Sequence, residues 1–235
     1  MSNAEEFLQY YNLIDQFIKN NDGYDTYVNF SQKVKSSKNK VVLKFKDELL
    51  SLGALRNAIV HNPKIKGDPI AEPHVETVNK IKSLYLKITN PKKVIPTFQF
   101  QILGAKEEDF INSILIEMKK RSFSQFPVFN ENEKVVELIN TNTIARWLSE
   151  NMEDNGTILT ENVRVKDLIP LIEFKQNYKF ISRQTSVYEA YDLFIEQIIR
   201  KKRNLDVLFI TNTGKKNEDL LGLVTIEDIA PVIKN

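Results

Sequence analysis

The chain contains no cysteine, which excludes a disulfide framework, a thiol nucleophile and a Cys-ligated zinc site. It has only two histidines, His61 and His74, too few for a multi-histidine metal centre, so no metal is expected. No apolar run approaches the ~20 residues that cross a bilayer. The opening stretch MSNAEEFLQYY lacks the basic start and apolar core of a signal peptide. A cytoplasmic chain with no membrane partner is therefore expected. The formal net charge is only +2, so no global field draws the molecule to nucleic acid or lipid; a local basic patch remains open. There is no glycine-rich phosphate loop with its lysine, no paired-carboxylate setting and no Ser/His/Asp arrangement.

What is present is ordinary globular sequence: 235 residues, 42% hydrophobic and 27% charged, enough for one large domain or two of common size. Three- and four-residue apolar spacing predicts helices over Glu5–Lys19, Tyr24–Val34, Val41–His61 and Val75–Ile88. Asn62-Pro63 should end the third, because a residue before proline is pushed out of the helical region. Residues 1–90 thus read as an antiparallel bundle of about four helices, with the boundary at Asn90-Pro91. From Val94 the pattern changes to short β runs alternating with helices. The first set is a strand over Phe98–Leu103, a helix over Lys106–Arg121, strands over Gln125–Phe129 and Lys134–Asn140, and a helix over Thr143–Glu153. About 80 residues later the order recurs: strand Tyr178–Ile181, helix Ser186–Lys201, strands Val207–Thr211 and Leu220–Thr225, then a closing helix. The expected fold class is α+β, a helical bundle followed by two β-α-β-β-α repeats at about 94–155 and 163–235, and an internal repeat is stronger evidence than either copy alone.

The most informative stretch is LLGLVTIEDI, Leu220–Ile229. Its apolar strand runs into a helix opened by Thr225, and Thr225-x-x-Asp228 has the spacing of a capping box. A Gly-hydrophobic-hydrophobic strand followed by Thr-x-x-Asp resembles the end of a CBS domain, and a tandem of such units resembles a CBS pair, or Bateman module. The resemblance implies an adenine nucleotide (AMP, ADP or ATP) bound as a regulatory ligand, with no cofactor required. Asp228 would accept the ribose hydroxyls, Thr225 and the helix amides would face phosphate, and Phe180 and Ile181 would flank the adenine. The first repeat carries Glu137-Leu138-Ile139-Asn140-Thr141-Asn142-Thr143 where the second has Gly222 to Asp228. It lacks the Gly, the Thr and the Asp, so a nucleotide site there is expected to be degenerate or empty.

In the third helix, LRNAIVHNP sets Arg56 five residues before His61, with Asn57 directly after the arginine. This resembles the motif of HEPN domains, helical bundles that include metal-independent ribonucleases. The resemblance implies a catalytic set of Arg56, Asn57 and His61, with RNA as a partner. The imidazole would move a proton and the guanidinium would hold phosphate. At ~100° per residue, Arg56 and His61 lie roughly 140° apart, so a shared target is expected only across a dimer groove, where Gly53 would admit a second backbone. Alternatively, Arg56 pairs with an acid and His61 caps its helix. The lysines from Lys33 to Lys46 suit either a phosphate backbone or a solvated face, and Arg200-Lys201-Lys202-Arg203 offsets a helix dipole.

Three functions remain open on sequence alone. They are a homodimeric sensor whose CBS-like pair binds adenine nucleotide and biases a HEPN-like domain, a nucleotide-controlled ribonuclease using Arg56 and His61, and a non-catalytic scaffold.

Overall fold

The computed structural model describes residues 1–61, 69, 71–154, 156–158 and 162–234. It divides into two compact units, Met1–Lys92 with Ser186–Glu189, and Lys93–Thr185 with Ala190–Asn235.

The first unit is helical: α1 (Asn3–Asp22), α2 (Phe30–Ser36), α3 (Lys40–Lys44), α4 (Lys46–His61) and α5 (Val75–Thr89). α1 extends beyond its predicted ends because both are capped. Ser2 and Glu5 exchange the bonds of a capping box, and Gly23 closes the helix in the left-handed conformation at φ 71°, where a side chain is unfavourable. The predicted second helix begins later, at Phe30, because the Asn29 side chain accepts from Gln32 N and fixes the start there. The predicted third helix is broken at Phe45, whose φ of −100° and ψ of 18° leave the helical region. Its expected stop at Asn62-Pro63 lies outside the described residues. Glu48 pairs with Lys80 and the Phe45 ring lies under Lys87, so α4 runs against α5. Tyr10 meets Tyr85 and Glu6 meets Lys82, so α1 runs with α5, as the first and third long helices of an up-down-up bundle should. Phe7, Ile14, Ile18, Leu49, Ile81 and Ile88 fill the core. Lys33 is not on a solvated face. Its side chain is 6% exposed, and Nζ sits 2.6 Å from Asp15 Oδ1.

The second unit holds two three-stranded sheets of identical topology. After the single turn α6 (Val94–Thr97), the first sheet comprises β1 (Ala105–Lys106), β2 (Gln125–Phe129) and β3 (Val135–Asn140), with α7 (Ile111–Arg121) and α8 (Thr141–Glu150). A short α9 (Val165–Leu168) precedes the second sheet, β4 (Tyr178–Ser182), β5 (Val207–Thr211) and β6 (Gly222–Val224), with α10 (Val187–Lys201) and α11 (Ile226–Lys234). In each sheet the first strand pairs parallel with the middle one and the last pairs antiparallel. That is the β-α-β-β-α order expected from the repeat, and the α+β class holds. Every residue of β5 is buried, which suits an unbroken apolar run with both faces covered. Val135 and Leu138 from β3 share one cluster with Tyr178, Val207 and Phe209, so the two sheets contribute to a common core. Trp147 and Phe126 anchor a second cluster in the first repeat.

The predicted strand Phe98–Leu103 does not form; among the described residues the pairing on that side is at Ala105 and Lys106. Instead the chain crosses β6 at close range. A Cβ on Gly222 would stand 2.0 Å from the Phe98 carbonyl oxygen and 3.1 Å from its carbon, inside any real contact distance. Gly222→Ala should therefore lower stability by about 1–3 kcal/mol through overpacking, read as an earlier urea midpoint in circular dichroism. An unchanged midpoint would show that the crossing is loose.

Candidate functional site

The Thr225–Asp228 corner is built as its sequence implies. Thr225 N and Oγ1 both donate to Asp228 Oδ2, at 2.9 and 2.8 Å, and Asp228 N donates back to Thr225 Oγ1 at 3.3 Å. Both of the carboxylate's cap bonds fall on Oδ2, so Oδ1 can still accept hydroxyls from a ligand. Leu223, Thr225, Ile226 and Asp228 form one side of a cavity of about 780 Å³ within the second unit, a size suited to a small organic ligand. Its opposite side comes from the irregular stretch of Phe100, Gln101 and Leu103 and from the exit of α7, Arg121 to Gln125. None of these was singled out by sequence. Alternating Phe98, Phe100 and Ile102 read as a strand, and only the crossing at Gly222 turns that stretch toward the corner.

Phe180 and Ile181 are placed elsewhere. Phe180 packs in an aromatic cluster with Tyr178 and Phe209, ring centroids 5.8 and 5.5 Å away, and Ile181 is buried. Neither lines the cavity that holds Thr225 and Asp228.

Asp206 was also missed. It opens β5 and lines both the large cavity and a smaller one of about 210 Å³ under the first repeat's closing helix. Burial raises its carboxyl above the ordinary 3.8, although Asn177 and Asn140 donate to it and Arg203 lies near; the Asn140 Nδ2–Asp206 Oδ2 distance is 3.2 Å. Asn140 is itself the cap of α8, its Oδ1 accepting from Thr143 N and Oγ1 at 3.0 and 3.1 Å. The first repeat thus keeps a polar corner in which an amide takes the place of Thr225. Arg203 also lines the smaller cavity, stacked 4.4 Å from the Phe174 ring centroid, so the basic run at the end of α10 does more than oppose a dipole.

In the helical unit, Arg56 and His61 meet. Arg56 Nη1 lies 3.0 Å from His61 Nε2 and 3.3 Å from Asn57 Oδ1. The rotation argument that separated them failed because the long arginine side chain reaches across the turn. A guanidinium only donates, so in this contact Nε2 takes the acceptor role. The guanidinium also stands 5.7 Å from the Tyr11 ring centroid. Burial, and then Asp15, push the Tyr11 phenol up to about 12, so it stays neutral at physiological pH. Gly53 does not present a free face to a second copy. A Cβ there would lie 3.3 Å from the Phe30 ring and 3.8 Å from the Tyr11 hydroxyl. Arg56, Asn57 and His61 line a cavity of about 490 Å³ in this unit. Among the described residues no cluster of His, Asp or Glu could hold a metal ion, and no helix is long and apolar enough to cross a membrane.

No family model matches the chain, and no curated protein matches it. Among solved structures, the CBS domain pair of protein MJ0100, in complex with 5′-methylthioadenosine and S-adenosyl-L-methionine, is similar at 15% identity with TM-score 0.44, over 61% of this chain and 97% of that one. A putative signal-transduction protein with CBS domains from Burkholderia ambifaria MC40-6 is similar at 15% identity with TM-score 0.41, over 57% of this chain and 82% of that one. The CBS domain of a bacterial CNNM/CorC family Mg²⁺ transporter, in complex with ATP, is similar at 14% identity with TM-score 0.42, over 61% of this chain and 87% of that one. The likeness is one of backbone, and what the cavities hold is argued from their own residues.

A raised carboxyl binds its proton more tightly folded than unfolded, so between the two pKa values the native state holds more protons and stability falls as pH rises. The fall should begin near the ordinary aspartate value of 3.8 and end at the raised one. Asp206→Asn keeps an acceptor for Asn140 and should abolish that fall, so its stability advantage over the wild type grows from pH 4 to pH 7 in urea titrations. An equal offset at both pH values would contradict burial as the cause.

Proposed function

We propose that the second unit is a sensor module of the CBS-pair kind that binds an adenine nucleoside or its monophosphate in the 780 Å³ cavity. The observation that carries this is the Thr225–Asp228 corner, whose cap bonds leave Asp228 Oδ1 for a ribose diol on the cavity wall. Phe100, Leu103, Phe123, Leu223 and Ile226 offer apolar surface to the base. The polar lining limits the charge of the ligand. Among the described residues of its lining, Asp206, Glu227 and Asp228 face a single cation, Arg121, which Glu117 already engages at 3.0 Å. A triphosphate would bring several more negative charges into that setting, which the end of one helix, at ~0.3–1 kcal/mol, cannot offset. A monophosphate, an uncharged nucleoside or a sulfonium nucleoside suits it better. Binding would regulate the helical unit only if the ligand has different affinities for two arrangements of the chain.

A second reading concerns the helical unit and is favoured by the 3.0 Å contact of Arg56 with His61. The pair suits a nucleic-acid phosphate. The phosphate would take over the guanidinium's donors, and the freed Nε2 would accept the proton of a 2′-hydroxyl as that oxygen attacks phosphorus and the 5′-oxygen leaves. This is the HEPN-like ribonuclease expected from the motif.

Calorimetric titration should show AMP, or S-adenosylmethionine, binding at least tenfold more tightly than ATP. Asp228→Ala should weaken that binding by tenfold or more, the loss expected for hydrogen bonds to a charged group. ATP binding as tightly as AMP would overturn the charge argument, and indifference to all three would favour a plain scaffold. For the second reading, labelled RNA should be cut by the wild type and not by His61→Ala; equal cleavage by both would remove it.

A further inference from the structure

The cavity beside Arg56 has an aromatic wall that the Arg-His motif does not account for. Residues 23–29 run between α1 and α2 as a turn and loop, and Tyr24 and Tyr27 from this run line the cavity. Tyr24 is tied down, its hydroxyl 2.8 Å from Ser36 Oγ. Tyr27 is 94% exposed; a ring so placed adds nothing to the core, and burying it would release its apolar surface from water.

The unpaired charge in the same cavity is positive. Asp15 is matched by Lys33 at 2.6 Å. Arg56 Nε is buried and has no hydrogen-bond partner among the described residues. Lys19, also on the wall, is exposed and forms no ion pair among them. Unpaired cations and an uncovered aromatic face are the two grips that proteins use on single-stranded nucleic acid, cations for the backbone and rings for the bases. A volume of about 490 Å³ admits about one nucleotide and no duplex.

We propose that this cavity binds one nucleotide of a single strand, its phosphate held by Arg56 and Lys19 and its base stacked on Tyr27, within one copy of the chain. The proposal rests on the second reading above and adds to it a base platform and a second phosphate contact. It also departs from the expectation of a dimer groove, since the face of Gly53 is already filled by Phe30 and Tyr11.

The test is fluorescence anisotropy of the full chain with a labelled six-nucleotide single-stranded RNA, with the unlabelled mononucleotide as competitor. Tyr27→Ala should weaken binding by about tenfold, within the range measured for loss of one base–aromatic stack, whereas Tyr27→Phe keeps the ring and should bind within about twofold of the wild type. Lys19→Ala should weaken binding and lower the slope of log affinity against log salt by about one contact. Both positions are exposed, so these variants should melt as the wild type does. Competition by the mononucleotide that is lost with Tyr27→Ala would place a free nucleotide on the same platform and also support it. Binding that falls with Arg56→Lys but not with Tyr27→Ala would overturn the platform and leave the Arg56–His61 reading standing. Equal loss in Tyr27→Ala and Tyr27→Phe would mean that the hydroxyl, not the ring, is used. No binding by the wild type would overturn both.

Discussion

The second unit depends on a backbone carbonyl lying where a side chain would otherwise be. Because residue 222 has no Cβ, the Phe98 oxygen can approach β6 closely, and the chain beyond it carries Phe100, Gln101 and Leu103 to the side of the cavity facing Thr225. The equivalent position in the first repeat is Glu137, whose buried carboxylate accepts from Leu138 N and Gln176 N. The two repeats share a topology and differ in what crosses their last strand. That difference goes with a cavity of about 780 Å³ at one corner and 210 Å³ at the other.

The electrostatics of the two cavities are linked through Asp206. It lines both, and its carboxylate is bonded to the residue that caps α8. A half-buried acid bonded to neutral amides is an energetic cost that apolar packing does not explain. It adds negative charge to the large cavity and gives the small one, with Arg203 and Arg146 on its wall, a balance of opposite charges. The helical unit has the reverse character, since among the described residues its cavity holds one acid, Asp15, matched by Lys33, while Arg56 and Lys19 form no ion pair.

Much of the architecture could be read from the residues, because local signals there agree with the tertiary outcome. The short apolar runs Gln125–Phe129 and Val207–Thr211 predict strands that form at those limits. The Thr225-x-x-Asp228 and Ser186-x-x-Glu189 spacings predict cap bonds that are made. The failures have physical causes. Phe98–Leu103 has strand alternation, yet its backbone lies against Gly222 of β6 at close range and makes no ladder there. Phe180, which the resemblance sets beside adenine, packs with Tyr178 and Phe209 and does not line the cavity that holds Thr225 and Asp228. The separation of Arg56 from His61 followed from backbone angles and ignored side-chain reach. Asp206 stands before an apolar run like many turn aspartates, and its bond from Asn140 of the first repeat leaves no mark in the local sequence. Gly53 was read as an opening for a second copy, but Phe30 of the same chain covers it, a contact that helix spacing does not reveal.

The central claim is that the Thr225–Asp228 corner and the exit of α7, a hundred residues apart in sequence, close on one ligand. Amide hydrogen exchange of the full chain, followed by mass spectrometry with and without saturating AMP, tests this directly. The account predicts slowed exchange in two segments together, residues 225–228 and 121–125. Protection confined to residues 178–182, or no change in either segment, would contradict it.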